Sequence, residues 1–273
     1  MNKIKKLFGE INMTWPKVII FAVVTAVYTA LINQVPFLKD TSFRDIAINF
    51  DCWILFAVII ITNCKKWWEA MLKCFVFFLV GQPLIYLIEV PFLGWGVFDY
   101  YKNWFIITLL TLPGAVICYQ LKRRDWLSLA VLSVANGYLA YMSITYFRSA
   151  MTDFPKHLLS SIFCLALAVL FTLVFFDKKN IRIVSFVFIV VVMAVTFVYT
   201  QSNRSEEISL GAGDWSYSIS DGTVAEVEID ENGNAKIKAK GKGGTSLIFK
   251  SADGTEEEYY VTVTGGGIYV SKF

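Results

Sequence analysis

Residues 183–200, IVSFVFIVVVMAVTFVYT, form an unbroken apolar run, with Asp177, Lys178, Lys179 and Arg182 just before it and a polar, glycine-rich tail after it. At about 1.5 Å of rise per residue, a helix of this length crosses a hydrocarbon layer of about 30 Å with little to spare. Upstream of it the chain reads as membrane, and downstream as water. The run therefore divides the chain into a membrane domain, residues 1–200, and a water-facing domain, residues 201–273.

Composition supports that division. The 273 residues are 56% hydrophobic and 16% aromatic, too apolar for a soluble domain. The net charge of +3 hides a split: residues 1–200 carry 18 Lys and Arg against 10 Asp and Glu, and residues 201–273 carry 7 against 12. Basic loops on a membrane protein set its orientation, and no nucleic-acid partner is expected. The five cysteines all lie in or beside apolar runs, and there is one histidine, so neither a disulfide framework nor a metal or other cofactor site is expected.

Working back towards the amino terminus, further apolar runs fall at 18–37, 46–63, 71–93, 103–120, 126–147 and 158–176, each near the length of a span. With 183–200 they make seven. The amino-terminal segment and alternate loops (Lys3, Lys5, Lys6, Lys17; Lys65, Lys66, Lys73; Lys122, Arg123, Arg124; Lys178, Lys179, Arg182) hold 13 basic residues. The intervening loops (Lys39, Arg44, Lys102, Arg148, Lys156) hold 5. This asymmetry predicts a cytoplasmic amino terminus and an extracellular tail. Trp15, Trp67, Trp68 and Trp126 then fall at the inner edge, and Trp53, Trp95 and Trp104 toward the outer one, as interfacial belts.

The tail alternates with period two. Ala225, Val227 and Ile229 share one strand face and Glu226 and Glu228 the other; Ala235, Ile237 and Ala239 alternate with Lys236, Lys238 and Lys240. A three-residue loop, Glu231-Asn232-Gly233, pairs Ile229 with Ala235 and Val227 with Ile237, and sets Glu228 opposite Lys236 and Glu226 opposite Lys238. A two-residue turn would put Ile229 opposite Lys236, so the longer loop is expected. A second hairpin joins 245–250 to 256–263 around Asp253-Gly254, and Gly265–Gly267 hinges to a last apolar strand, Ile268–Val270.

Trp215-Ser-Tyr-Ser, Ser220-Asp-Gly-Thr-Val-Ala225, Glu231-Asn-Gly, Ile237-Lys-Ala-Lys-Gly-Lys-Gly-Gly-Thr245 and Val261-Thr-Val263, in that order, resemble bacterial immunoglobulin-like domains of group 2, the invasin and intimin type. The resemblance covers about the last quarter of the chain. Residues 206–214 are short for the front of such a module, so six or seven strands are expected. What the resemblance implies is an extracellular all-β sandwich on a bacterial cell membrane, used for display or adhesion. It also implies a protein or cell-wall partner bound through residues 205–273.

Ionisable and amide side chains inside spans carry the other functional signal. Asp51 lies 14 residues from Lys65 and Glu89 lies 16 from Lys73, so both sit about 21 to 24 Å from the inner edge by helical rise. Gln82, Tyr86 and Glu89 share one helical face, and Pro83 frees a backbone carbonyl beside them. Thr25, Thr29 and Asn33 make a second polar stripe, and Ser133, Asn136 and Gly137 a third. These residues form either an outward-opening polar cavity for a cation, a proton or an amine-bearing solute, or packing seams with carboxylates that reach interfacial water. No catalytic residue set can be assembled: the Gly-x-Ser-x-Gly and His-Glu-x-x-His signatures are absent, and the last span has no lysine for a retinal Schiff base. The expected function is a non-enzymatic membrane protein that displays an extracellular module, with membrane lipids as its surroundings. A small-solute or ion transporter capped by the β domain is the alternative.

Overall fold

The computed structural model describes residues 2–38, 41–152, 154–202, 204–211, 213–252, 254–265 and 267–272. Lys39 of the loop count, Asp253 of the second hairpin turn and Gly266 of the hinge lie outside them. The described residues form the helices α1 (Asn2–Lys6), α2 (Trp15–Gln34), α3 (Ser42–Ile48), α4 (Phe50–Thr62), α5 (Trp67–Leu93), α6 (Phe98–Cys118), α7 (Trp126–Thr152), α8 (Leu158–Phe175) and α9 (Lys179–Ser202). The strands β1 (Ser205–Ser209), β2 (Trp215–Ile219), β3 (Ala225–Ile229), β4 (Asn234–Ala239), β5 (Gly243–Ser251), β6 (Glu256–Thr264) and β7 (Gly267–Lys272) follow.

Six of these helical segments are long and apolar enough to cross a membrane: α2, α5, α7, α8, α9 and α6 with its flanking 3-10 turns. The chain is a multi-pass integral membrane protein. The expected span at 46–63 is not one rod. It is the pair α3 and α4, bent by 46° at Asn49. Asn49 is extended (φ −78°, ψ 163°) and donates its N–H to the Asp45 carbonyl at 2.9 Å, which closes α3. The same residue opens α4, whose first turn holds Asp51 where the helix dipole favours a carboxylate.

By internal contacts the chain divides into two compact units, residues 1–140 with 162–191, and residues 141–161 with 192–273. In the first unit, Val18, Ala22, Ala26 and Ala30 recur every four residues along α2 and are wholly buried against α5. Small side chains let the two backbones approach closely, and a Cβ added at Gly81 of α5 would lie 3.6 Å from the Ala22 carbonyl oxygen. Trp53 is buried in an aromatic cluster with Phe56, Phe77 and Phe78 and takes no place in an interfacial belt. Position along the span suggested the belt; packing against α5 decides otherwise.

The four segments grouped by charge as inner are joined by side chains. Lys5 and Arg124 reach Asp177 at 2.7 and 3.3 Å, and Arg182 lies 3.7 Å from the same carboxylate. Lys122 donates to the Cys64 carbonyl at 2.6 Å, and Asn63 bonds the Leu7 carbonyl and the Ile11 N–H. Lys73, counted with those loops, instead lies inside α5 and is buried, bonded to Glu69 and to the Met13 carbonyl.

In the second unit the strands form two antiparallel sheets, in the orders β1-β4-β3 and β2-β5-β6-β7. The inward residues of both, including Ala225, Ile237, Leu247, Phe249 and Val261, meet in one hydrophobic core. The β3–β4 register is the one expected, with Ile229 opposite Ala235 and Val227 opposite Ile237. Gly233 takes the left-handed conformation (φ 76°), and Asp230 accepts the N–H groups of Asn232 and Asn234, closing the three-residue loop. Glu228 stands opposite Lys236, yet its ion pair runs diagonally to Lys238 at 2.6 Å, while Lys236 pairs with Glu207 of β1 at 3.1 Å. The hairpin β5–β6 and the final strand also form, the last being longer than expected at both ends.

Candidate functional site

A cavity of about 80 Å³ opens in the first unit among Thr29 and Asn33 of α2, Ile48 of α3, Trp53 of α4, Gln82, Ile85, Tyr86 and Glu89 of α5, and Trp104 of α6. The helical period of α5 places Gln82, Ile85, Tyr86 and Glu89 on the side facing α2, and the bend at Asn49 brings Ile48 and Trp53 to the same space. Five of the eight candidate residues thus come together: Thr29, Asn33, Gln82, Tyr86 and Glu89.

Within the cavity the polar groups are ordered in sequence. Arg44 Nε donates to Asn33 Oδ1 at 3.0 Å, and Asn33 Nδ2 donates to Glu89 Oε1 at 2.6 Å. Asn33 therefore stands between a guanidinium and a carboxylate that form no direct ion pair among the described residues. Tyr86 and Trp104 line the space together, and Thr29 donates to the Ala47 carbonyl at 3.1 Å. Gln82 and Glu89 are each 3% exposed. Among the described residues, Gln82 makes no side-chain hydrogen bond and Glu89 makes only the one to Asn33. Two buried polar groups thus face a space large enough for a few water molecules with hydrogen-bonding capacity unspent.

The remaining three candidates lie elsewhere. Thr25 bonds the Phe21 and Ala22 carbonyls of its own helix, as a packing hydroxyl does. Asp51 is fully buried in the first turn of α4 and lies outside the cavity lining. Asn136 donates to Thr172 at 3.2 Å and Ser185 at 3.4 Å, tying α7, α8 and α9 together, and Thr172 and Ser185 bond each other at 2.8 Å. That stripe is a polar seam, with Gly137 admitting the Phe188 ring beside it.

Arg44 and Trp104 were not singled out as site residues in the sequence. Arg44 counted only as a loop cation, and Trp104 only as an interfacial aromatic. Arg44 does follow Asn33 by only 11 residues, the one signal that could have joined them. No group of three or more His, Cys, Asp or Glu gathers to hold a metal among the described residues. Compared with family models, curated proteins and solved structures, the chain matches none.

Proposed function

We propose that this chain is a seven-span bacterial membrane protein, amino terminus inside, that carries an immunoglobulin-like module on its outer surface for contact with a protein or cell-wall partner. One observation carries the reading: the seven-stranded region has two antiparallel sheets closed on a single apolar core, and follows a membrane helix with only Asn203 and Arg204 between them. The chain passes between sheets at β1–β2, β2–β3 and β4–β5, which suits a sandwich of the resembled kind. The orientation is supported by the basic segments joined around Asp177 and Asn63, because loops of one side should meet. The seventh span is the bent pair α3 and α4. Protease added to intact cells tests the reading: residues 205–272 are expected to be cut or released, and a protein truncated after Thr200 to lose crosslinks to envelope components. Cleavage only after lysis would sink it.

The cavity supports a second reading, that the helices take up a small solute or ion from the outer side. Its volume, about 80 Å³, is far below the roughly 300 Å³ at which drug-sized pockets begin. Any such solute is correspondingly small.

A further inference from the structure

We infer that the cavity of α2, α5 and α6 is a binding site for a small ammonium-type cation, ammonium itself or a short primary amine; this rests on the second reading above, and only on its claim that a solute enters. Glu89 is buried and bonded only to Asn33 among the described residues, so its second oxygen is left to accept an N–H from a guest in the space. Gln82 supplies an amide carbonyl with no competing partner among the described residues. The Tyr86 and Thr29 oxygens offer a third and fourth contact, because a hydroxyl oxygen keeps lone pairs to accept with, and Thr29 acts only as donor in its bond to Ala47. An N–H cation has up to four donors to direct at such a set.

Two features choose among cations. A water-sized group fills roughly 30 Å³, so about 80 Å³ suits ammonium with one water, or methylammonium, and a quaternary amine brings no N–H donor for these acceptors. Trp53, Tyr86 and Trp104 line the space, and aromatic rings favour a weakly hydrated ammonium over a strongly hydrated alkali ion. A divalent metal is disfavoured by the single carboxylate in the lining. Arg44 does not block the site. It is half-buried, lies outside the cavity lining and is held by Asn33, so it leaves the space open.

The test is a titration of the full-length protein in nanodiscs, followed by tryptophan fluorescence because two tryptophans line the cavity. Ammonium or methylammonium chloride is added at constant ionic strength against choline chloride, whose quaternary nitrogen has no N–H to donate. A saturable change is expected with the first two salts. Gln82→Leu and Glu89→Gln are each expected to weaken it at least tenfold, and Thr25→Val to leave it unchanged. Gln82→Leu removes no hydrogen bond among the described residues, so it keeps the test decisive if Glu89→Gln fails to fold. Wild-type binding in Gln82→Leu, an equal response to sodium chloride, or no saturable response would each overturn the inference. Saturable binding without uptake into vesicles would end the transport reading and leave this one standing.

Discussion

On the helices, Ile20, Val24, Leu110, Val134, Val190 and Val198 each leave more than half their surface open, while Asp51, Gln82, Glu89, Asn136 and Thr172 are buried. The strands do the opposite: Ile237, Leu247, Phe249 and Val261 are buried, and Glu226, Glu228 and Lys250 are exposed. Each arrangement is the low-energy one in its own solvent. Water drives apolar groups inward. Lipid offers no such drive, so helices meet through small residues, shared hydrogen bonds and buried polar clusters. The two regions should therefore respond oppositely to the same kind of substitution.

The largest expected effect is in the strands. Phe249 is wholly buried and packs edge-to-face on Tyr259, with ring centres 5.7 Å apart. Phe249→Ala should cost about 3–5 kcal/mol and leave the β region protease-sensitive while the helical circular dichroism signal persists. Val190→Ala on a helix should cost almost nothing, because Val190 is 63% exposed and lipid simply takes up the space. Equal losses in both would break the contrast.

Polarity can be reversed in the helices as well. Val134 is 77% exposed, a third of the way along α7 and within its apolar run. Val134→Asp should cost roughly 2.5–3.5 kcal/mol of membrane insertion, read as a fall in the membrane-inserted fraction. In water the same change at an exposed site would be nearly silent, so a normal yield would argue that this face is not in lipid.

How far each region could be read from sequence follows the same contrast. The β3–β4 register was legible because a one-residue slip would turn Ile229 and Val227 to solvent, so alternation and loop length admit one answer. The apolar helices were legible as objects, but over 46–63 the average hydropathy stays high, and the polar pair Asn49 and Asp51 reads as side chains inside one span and not as the bend it marks. Glu89, Gln82 and Tyr86 could be grouped because the helical period is local. Asp51 was grouped with them by depth alone, and lateral packing leaves it outside the cavity lining. Which helix faces which is set by contacts such as Ala22 on Gly81, and one chain's hydropathy does not encode them.

An intermediate effect is expected within the second unit, where helix and strand meet. A Cβ on Gly265, just after β6, would fall 2.2 Å from the Thr145 carbonyl oxygen of α7 and 2.2 Å from the Ser149 hydroxyl. Gly265→Ala must push the turn off the helix, at about 1–3 kcal/mol by analogy with overpacked cores. Hydrogen exchange should speed up in residues 141–161 and in β6–β7, and stay unchanged in residues 2–38. Unchanged exchange throughout would mean that this helix segment is not docked on the strands.

The smallest effect tests the charged end of the first unit, which behaves like neither a lipid-facing helix nor a β core. Hydrogen bonding and charge attraction from Lys5, with Arg124 and Arg182 adding to it, hold the Asp177 carboxyl below its ordinary value. A folded-state value lower than the unfolded one gives stability that is present above the unfolded value and is lost as pH falls through the folded one. Asp177→Asn should therefore lower thermal stability by an amount that is constant at neutral pH and vanishes in acid. Because the side chain is 57% exposed, the loss should be only about 0.2–1 kcal/mol, and salt should shrink it further. A difference between wild type and variant that grows in acid would contradict this sign and detach Asp177 from its three cations.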